Sequence, residues 1–442
     1  MRCCFKKEYL YMLISAERSI RENNEFWANF KNRISEEKVP PYTLPDPLRC
    51  FDGRVVTNQE EYLRYKRPEL LQFYQDKLYG CTPPLPDTLE CTLLRENPHA
   101  LEGLATQKQI RITCSMKDGR SCSFPLLLYI PNHKKSGGAC PVFLTLNFYG
   151  NHTTVSDPEV AVSDHWLPFQ WRGSRFQTME MRAQCRGSQE LSDRAWESAC
   201  REAISRGYAF ATVCYEYFMP DNGYHFEHSI YQLFHNELDY MSENRNFGAI
   251  GAWTWGVSRT IDALERQTEL DISRLALVGH SRLGKTALWA GVQDERIKLT
   301  VSNDSGCCGA KLFHRDFGET LRFHAFWRPF WYTLGIQEYA EREWEFPVDQ
   351  HELIGMIAPR FVYIGSASED HGADPKGEFL AAFHAGKVYN LFGLQGLPGS
   401  GEYPSPGTKY HTGAIAYHLR EGAHSLTLED YKNYFDYADL HL

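Results

Sequence analysis

The sequence has no apolar run approaching the roughly 20 residues that a membrane-crossing helix needs. It also has no excess of basic charge: 47 Lys plus Arg stand against 56 Asp plus Glu, a net charge of −9 over 442 residues. The first absence excludes a spanning helix, and the second excludes the electrostatic footprint of a nucleic-acid binder. There is no internal repeat and no low-complexity tract, which excludes a solenoid and a disordered linker. Thirteen cysteines are scattered without a C-x-x-C pair or metal-ligand spacing, so neither a metal nor another cofactor is expected. Cys3-Cys4 and Cys307-Cys308 are adjacent pairs, and vicinal disulfides are strained and rare. Most of the cysteines read as small buried hydrophobes, and in an exported chain an odd number leaves at least one thiol free. The amino end also lacks a convincing export signal. Residues 1–16 carry Arg2, Lys6 and Lys7, but the apolar patch from Tyr9 to Ile14 is short and follows Glu8 directly, whereas a signal peptide needs an apolar stretch of about 7–15 residues and a small-residue cleavage site.

What is present is the material of a large core: 43% hydrophobic residues, 14% aromatic, ten Trp and 25 Tyr. That supply of aromatics serves packing, or sugar-ring stacking in a cleft, and composition does not choose between them. Residues 1–38 are charged and read as a loosely packed N-terminal helical segment. The prolines of Pro40-Pro41-Tyr42-Thr43-Leu44-Pro45-Asp46-Pro47 then force extended chain, and residues 39–442 read as one catalytic domain. Residues 59–78 have helical apolar spacing. Residues 105–116 and 120–130 alternate apolar and polar around Lys117-Asp118-Gly119, a hairpin signal. Beyond the hairpin, short apolar runs alternate with helical segments. The runs are Val142–Phe148, Tyr208–Cys214, Leu275–Val278, Ile297–Ser302, Phe361–Gly365 and Ala414–His418, with helices near 195–206, 248–267, 284–294, 350–358 and 375–385. This predicts an α/β fold: a mostly parallel central sheet, an N-terminal antiparallel hairpin, and helices on both faces. Segments 151–194, 216–247 and 305–348 break the pattern and are rich in aromatics. They read as insertions at the carboxyl edge of the sheet, where open α/β sheets bind ligands.

One turn carries chemistry. Leu275-Ala276-Leu277-Val278 reads as a buried strand, Gly279-His280-Ser281-Arg282-Leu283-Gly284 as a sharp turn, and Lys285–Ala290 as the start of a helix. A nucleophile elbow needs small residues around its serine and a helix amino end aimed at the developing oxyanion. The spacing here is G-x-S-x-x-G rather than G-x-S-x-G, so the pattern alone also fits a serine helix cap. A nucleophilic Ser281 requires a base and an orienting acid, in the chain order Ser, acid, His for an α/β-hydrolase. His424 follows the last strand between small residues and is the preferred base over His411 and His418. Asp370 and Asp304 each follow a strand between Ser281 and His424; Asp370 is preferred. Nearby Glu369 reads as a solvated charge and Asp374 as a helix N-terminal residue before Pro375.

Taken together, several segments resemble the glucuronoyl esterases of carbohydrate esterase family 15, especially the bacterial branch. They are Val39–Leu48, Leu146–Thr153, Gly248–Arg259, Val278–Gly291, Ser302–Ala310, Val348–Leu353, Asp374–Leu380 and Gly422–His424. The resemblance covers about residues 38–435, and in this family the later glycine of the elbow is the usual pattern. It implies an α/β-hydrolase that cleaves 4-O-methyl-glucuronoyl esters between glucuronoxylan and lignin alcohols, secreted or periplasmic, with no cofactor. It also implies Arg282 as an oxyanion-holding cation and Lys285 and Glu319 as sugar-binding residues. Asp304 stands where many members carry the catalytic Glu, and Asp370 where some bacterial members carry the acid. The sequence departs from the family at Gly372, where relatives often have Trp. It departs again at Cys308, which replaces a Gly, and in the aromatic stretch Phe326–Tyr332. These departures bear on substrate preference. They keep two other readings open: a carbohydrate acetylesterase or general carboxylesterase on the same triad, and a non-catalytic carbohydrate-binding relative.

Overall fold

The computed structural model describes residues 33–133, 138–163, 179–188, 195–222, 229–234 and 247–442. The weighed export patch, most of the N-terminal segment, and parts of the 151–194 and 216–247 insertions lie outside the described residues. Ten strands form one sheet: β1 Thr88–Ala100, β2 Ala105–Ser115, β3 Ser121–Pro131, β4 Cys140–Asn147, β5 Ala209–Cys214, β6 Leu270–His280, β7 Ile297–Asn303, β8 Phe361–Ala367, β9 Lys409–Tyr410 and β10 Ile415–Arg420. Their order is β1-β2-β3-β5-β4-β6-β7-β8-β10-β9. The Lys117-Asp118-Gly119 turn joins β2 to β3 in antiparallel register, with Ser115 opposite Ser121. From β5 through β10 the neighbours run parallel, and the short β9 closes that edge antiparallel to β10.

The parallel strands are buried on both faces, which explains their continuous apolar runs. Successive residues serve opposite cores: Leu275 and Leu277 of β6 join one cluster, Ala276 and Val278 the other. The first core also contains side chains of α1 Arg67–Tyr74, α3 Ala249–Leu264, α4 Arg282–Gln293, α6 Gln350–Gly355 and α7 Pro375–Leu391, among them Trp253, Trp289 and Leu353. The second is filled from α2 Trp196–Arg206 and α8 Leu428–His441 through Trp196, Tyr431 and Phe435. The 305–348 insertion follows β7 and contains α5 Leu321–Trp327. Residues 33–36 pair with it: Arg33 with Asp316, and Glu36 with Arg315. No helix among the described residues is long and apolar enough to cross a membrane. No disulfide forms among the described cysteines.

Candidate active site

Four parallel strands end at one edge, and each is followed by a residue singled out above. Ser281 follows β6, Asp304 follows β7, Asp370 lies beyond β8, and His424 beyond β10. Ser281, Lys285, Asp304, Glu319, Asp370 and His424 line one cavity of about 150 Å³. Every residue named as catalytic or substrate-binding therefore lies on this cavity except Arg282, which is the next residue after Ser281.

The turn at Ser281 is strained, with φ 58° and ψ −128°. A β-carbon on Gly279 would lie 1.9 Å from the Leu283 carbonyl oxygen, and one on Gly284 would lie 2.8 Å from Ser305 Cβ. Gly279 is thus required by the Leu283 backbone and Gly284 by the Ser305 and Ser302 side chains, and the second sits one residue later because that is where α4 meets the loop after β7. The Ser281 N–H donates to the Asn303 carbonyl at 2.9 Å. At the start of α4 the Gly284 and Lys285 N–H groups donate to the Ser281 carbonyl at 2.9 and 3.3 Å, while those of Arg282 and Leu283 precede the first turn of helix bonding.

His424 Nδ1 lies 2.5 Å from Asp370 Oδ2. Asp370 Oδ1 accepts from the Ala373 N–H at 3.3 Å, which fixes the carboxylate. Asp304 does not bond the imidazole. Its Oδ1 accepts the Ala367 N–H at 2.8 Å and its Oδ2 the Ser425 N–H at 3.3 Å, with Arg420 at 3.7 Å. Burial, and then the charge of Asp370, push the Asp304 carboxyl well above the usual range. Asp304 thus braces the loop after β8, which carries Asp370, and the loop after β10, which carries His424. His411 and His418 are engaged elsewhere: both bond the Tyr363 hydroxyl, and His418 Nε2 lies 2.8 Å from Asp430. Glu369 is exposed, and Asp374 caps α7 through the Gly377 N–H at 3.0 Å.

Arg282 is half-buried, with 22% of its side chain exposed. Its guanidinium is paired with Asp221 and lies 5.7 Å from the Phe148 ring and 5.2 Å from the Trp331 ring. Asp221 in turn accepts from Trp331 Nε1 at 2.6 Å and from the Tyr215 hydroxyl at 2.7 Å. Burial works against the arginine's charge, but Asp221 outweighs it and holds the pKa above the ordinary value. Lys285 is buried and donates to the Ser305 carbonyl. Burial alone would raise Glu319; contact with His324 at 3.3 Å and the charge of Lys285 reverse that and hold it down to about 2. Cys308 occupies φ 59°, the left-handed region that explains a glycine at this point in relatives.

The sequence offered no signal for Asp221, and none for Glu378 beyond its place in Asp374–Leu380. Glu378 accepts from Ser305 Oγ at 3.2 Å, the Gly306 N–H at 2.8 Å and Ser366 Oγ at 2.6 Å, and so holds the cavity wall. Burial pushes it from 4.5 up to about 7. Between these values the unfolded chain has released a proton that the folded chain retains. Its contribution to stability is therefore complete below pH 4.5, declines as pH rises to about 7, and is flat above. Glu378→Gln is expected to remove a slope worth about 3 kcal/mol, measured as a flatter Tm against pH across that window.

The ligand atoms of Asp304, Asp370 and His424 lie within 4.8 Å of one another, as do those of Cys307, Cys308 and His324. In the first group the imidazole is already bonded to Asp370 and the Asp304 oxygens to backbone N–H groups. In the second, burial raises the Cys307 thiol, opposing the thiolate that a metal needs. Neither donor set is arranged as a metal centre.

The chain resembles known proteins over most of its length. A family profile described as "Glucuronyl esterase, fungi" matches residues 209–393. The carbohydrate esterase MZ0003, from an unknown prokaryotic organism, is 38% identical over 92% of this chain and 91% of its own. A promiscuous CE15 esterase from a marine bacterial metagenome superposes with a TM-score of 0.81 at 37% identity, covering 92% of this chain and 99% of that one. The glucuronoyl esterase from Solibacter usitatus superposes with a TM-score of 0.83 at 35% identity, covering 92% and 100%. The chain belongs to carbohydrate esterase family 15, and it is an α/β-hydrolase that cleaves carboxylic esters.

Proposed function

We propose that residues 39–442 form one catalytic domain that hydrolyses esters of 4-O-methyl-glucuronic acid, of the kind linking glucuronoxylan to lignin alcohols. The observation that carries this reading is the His424–Asp370 pair at 2.5 Å on the same cavity wall as the strained Ser281. His424 takes the Ser281 proton while Asp370 holds Nδ1–H, leaving Nε2 as the accepting nitrogen. Ser281 attacks the ester carbonyl. The amino-terminal N–H groups of α4 and the Arg282 guanidinium hold the negative oxygen of the tetrahedral intermediate. The alcohol leaves with the proton from His424, and water attacks the acyl-enzyme by the same route in reverse. Lys285 and the ionised Glu319 bind hydroxyls of the uronic acid. The polymeric substrate implies action outside the cytoplasm.

A second reading is favoured by Gly372, which lines the cavity where relatives often place a Trp ring. Without that ring the site admits small acyl groups, as in a carbohydrate acetylesterase or general carboxylesterase. Hydrolysis of benzyl glucuronate, acetylated xylose and p-nitrophenyl acetate decides between the two. The expected result is a kcat/KM for benzyl glucuronate at least about 10-fold above either acetyl ester. Turnover of the acetyl esters alone would sink the glucuronoyl reading.

A further inference from the structure

A second and larger cavity, of about 490 Å³, is lined in part by the 305–348 insertion that also carries Glu319. Tyr42, Phe313, His314, Asp316, Glu343 and Trp344 line it. Asp316 and Glu319 are three residues apart, so their Cα atoms lie within about 11 Å of each other. One short loop therefore serves both cavities.

The lining combines an aromatic platform with fixed polar groups. Trp344 is 65% exposed, and among the described residues no ring packs on it and nothing accepts its indole N–H. An exposed Trp of this kind carries a large apolar face and a free donor. The polar groups are held from behind. Asp349, fully buried, accepts from the backbone N–H groups of Phe313 and His314 at 2.7 and 3.1 Å and bonds His314 Nδ1 at 2.7 Å. This leaves His314 Nε2 for the cavity. Glu343 is 7% exposed; its Oε2 accepts the Leu321 N–H at 2.9 Å, while no described group bonds its Oε1. A carboxylate oxygen, an imidazole nitrogen and an indole N–H around an open ring face suit a hydroxyl-rich, flat-faced ligand. No Lys or Arg is among the lining residues; Arg33 is already paired with Asp316 and His314 with Asp349, so the lining offers an anionic sugar no unpaired cation.

We propose that this cavity is a saccharide subsite for neutral main-chain sugars of the same polymer whose uronic ester enters the catalytic cavity, with Trp344 as its stacking platform. The inference rests on the proposed function for the identity of that polymer. Binding, however, needs no turnover, so the two can fail separately.

The test is calorimetry on the full chain and on Ser281→Ala, with xylohexaose, cellohexaose and glucuronate as probes. Both chains are expected to bind xylohexaose more tightly than cellohexaose, and to bind glucuronate no better in the presence of Trp344 than in its absence. Trp344→Ala removes an exposed side chain and leaves the core intact. It is expected to raise the xylohexaose Kd about 10-fold or more while benzyl glucuronate turnover stays within about 2-fold of wild type. Absence of xylohexaose binding to the wild-type chain overturns the subsite, as does an unchanged Kd in Trp344→Ala. A preference for cellohexaose overturns the link to a xylan main chain. Failure of benzyl glucuronate turnover with intact, Trp344-dependent xylohexaose binding overturns the proposed function and leaves the subsite standing.

Discussion

Ser281→Ala is expected to lower kcat on benzyl glucuronate by about 10⁴-fold or more, and His424→Ala by a similar factor. In the proposed mechanism the hydroxyl and the imidazole act in one step. Without the base, the serine is a neutral alcohol of high pKa; without the serine, the base has no proton to take. Their effects are therefore not additive, and the double variant should be no slower than the worse single one. In the proposed mechanism the residual rate comes from the helix amino end and Arg282, which still polarise the carbonyl. A fluorophosphonate should label the wild-type chain covalently at Ser281 and leave the folded Ser281→Ala chain unlabelled. A folded wild-type chain that takes no label would favour the non-catalytic carbohydrate-binding reading. A Ser281→Ala chain that keeps more than about a hundredth of the activity would remove this serine from the mechanism.

The elements that position these groups were legible because they are buried on both faces. A parallel strand such as Leu275–Val278 shows as an uninterrupted apolar run, and the crossover helices show 3.6-residue spacing. The elements that sequence reading passed over have mixed surfaces. β1 is an edge strand, and most of Thr88–Ala100 is exposed, with Glu90, Arg95 and Glu96 on its surface. Its charges protect the edge and erase the apolar alternation. α8 buries Asp430, Asn433 and three tyrosines, so a polar count makes it look solvated. The cue that was present is its capping box, with Thr427 and Asp430 bonding each other's backbone N–H groups.

The site was legible to the extent that its residues sit at strand ends in a known chain order. Ser281, His424 and Asp370 meet that condition. The support behind them does not, because it depends on distant segments converging. Asp221 reaches Arg282 from 61 positions away in the chain, and Glu378 reaches Gly306 from 72. Neither partner has a local pattern, since a buried carboxylate on a loop or a helix looks in sequence like any solvated acid. The glycine displaced from its usual place in the elbow is the opposite case. Steric contact of Gly279 with Leu283, and of Gly284 with Ser305, writes a long-range requirement into six adjacent residues.

Asp370→Asn is expected to lower kcat by about 10³- to 10⁴-fold, and Asp304→Asn by less than about 10-fold. The two acids lie close together, but their oxygens are committed differently. In Asp370→Asn the amide oxygen keeps the Ala373 N–H, and the amide NH₂ then faces His424 Nδ1. A donor there forces Nδ1 to become the acceptor and moves the imidazole proton to Nε2. The nitrogen available to Ser281 then already carries a proton, and no imidazolium can be stabilised. Burial, and then the charge of Asp370, push the Asp304 carboxyl towards its neutral form. An asparagine there keeps the acceptor for the Ala367 N–H at 2.8 Å and loses only the weaker bond at 3.3 Å to the Ser425 N–H. Its cost should fall mainly on stability, of order 1 kcal/mol, read as a lower Tm with kcat/KM nearly retained. Measured on benzyl glucuronate, the reverse ranking would make Asp304 the orienting acid and the His424–Asp370 contact a resting arrangement.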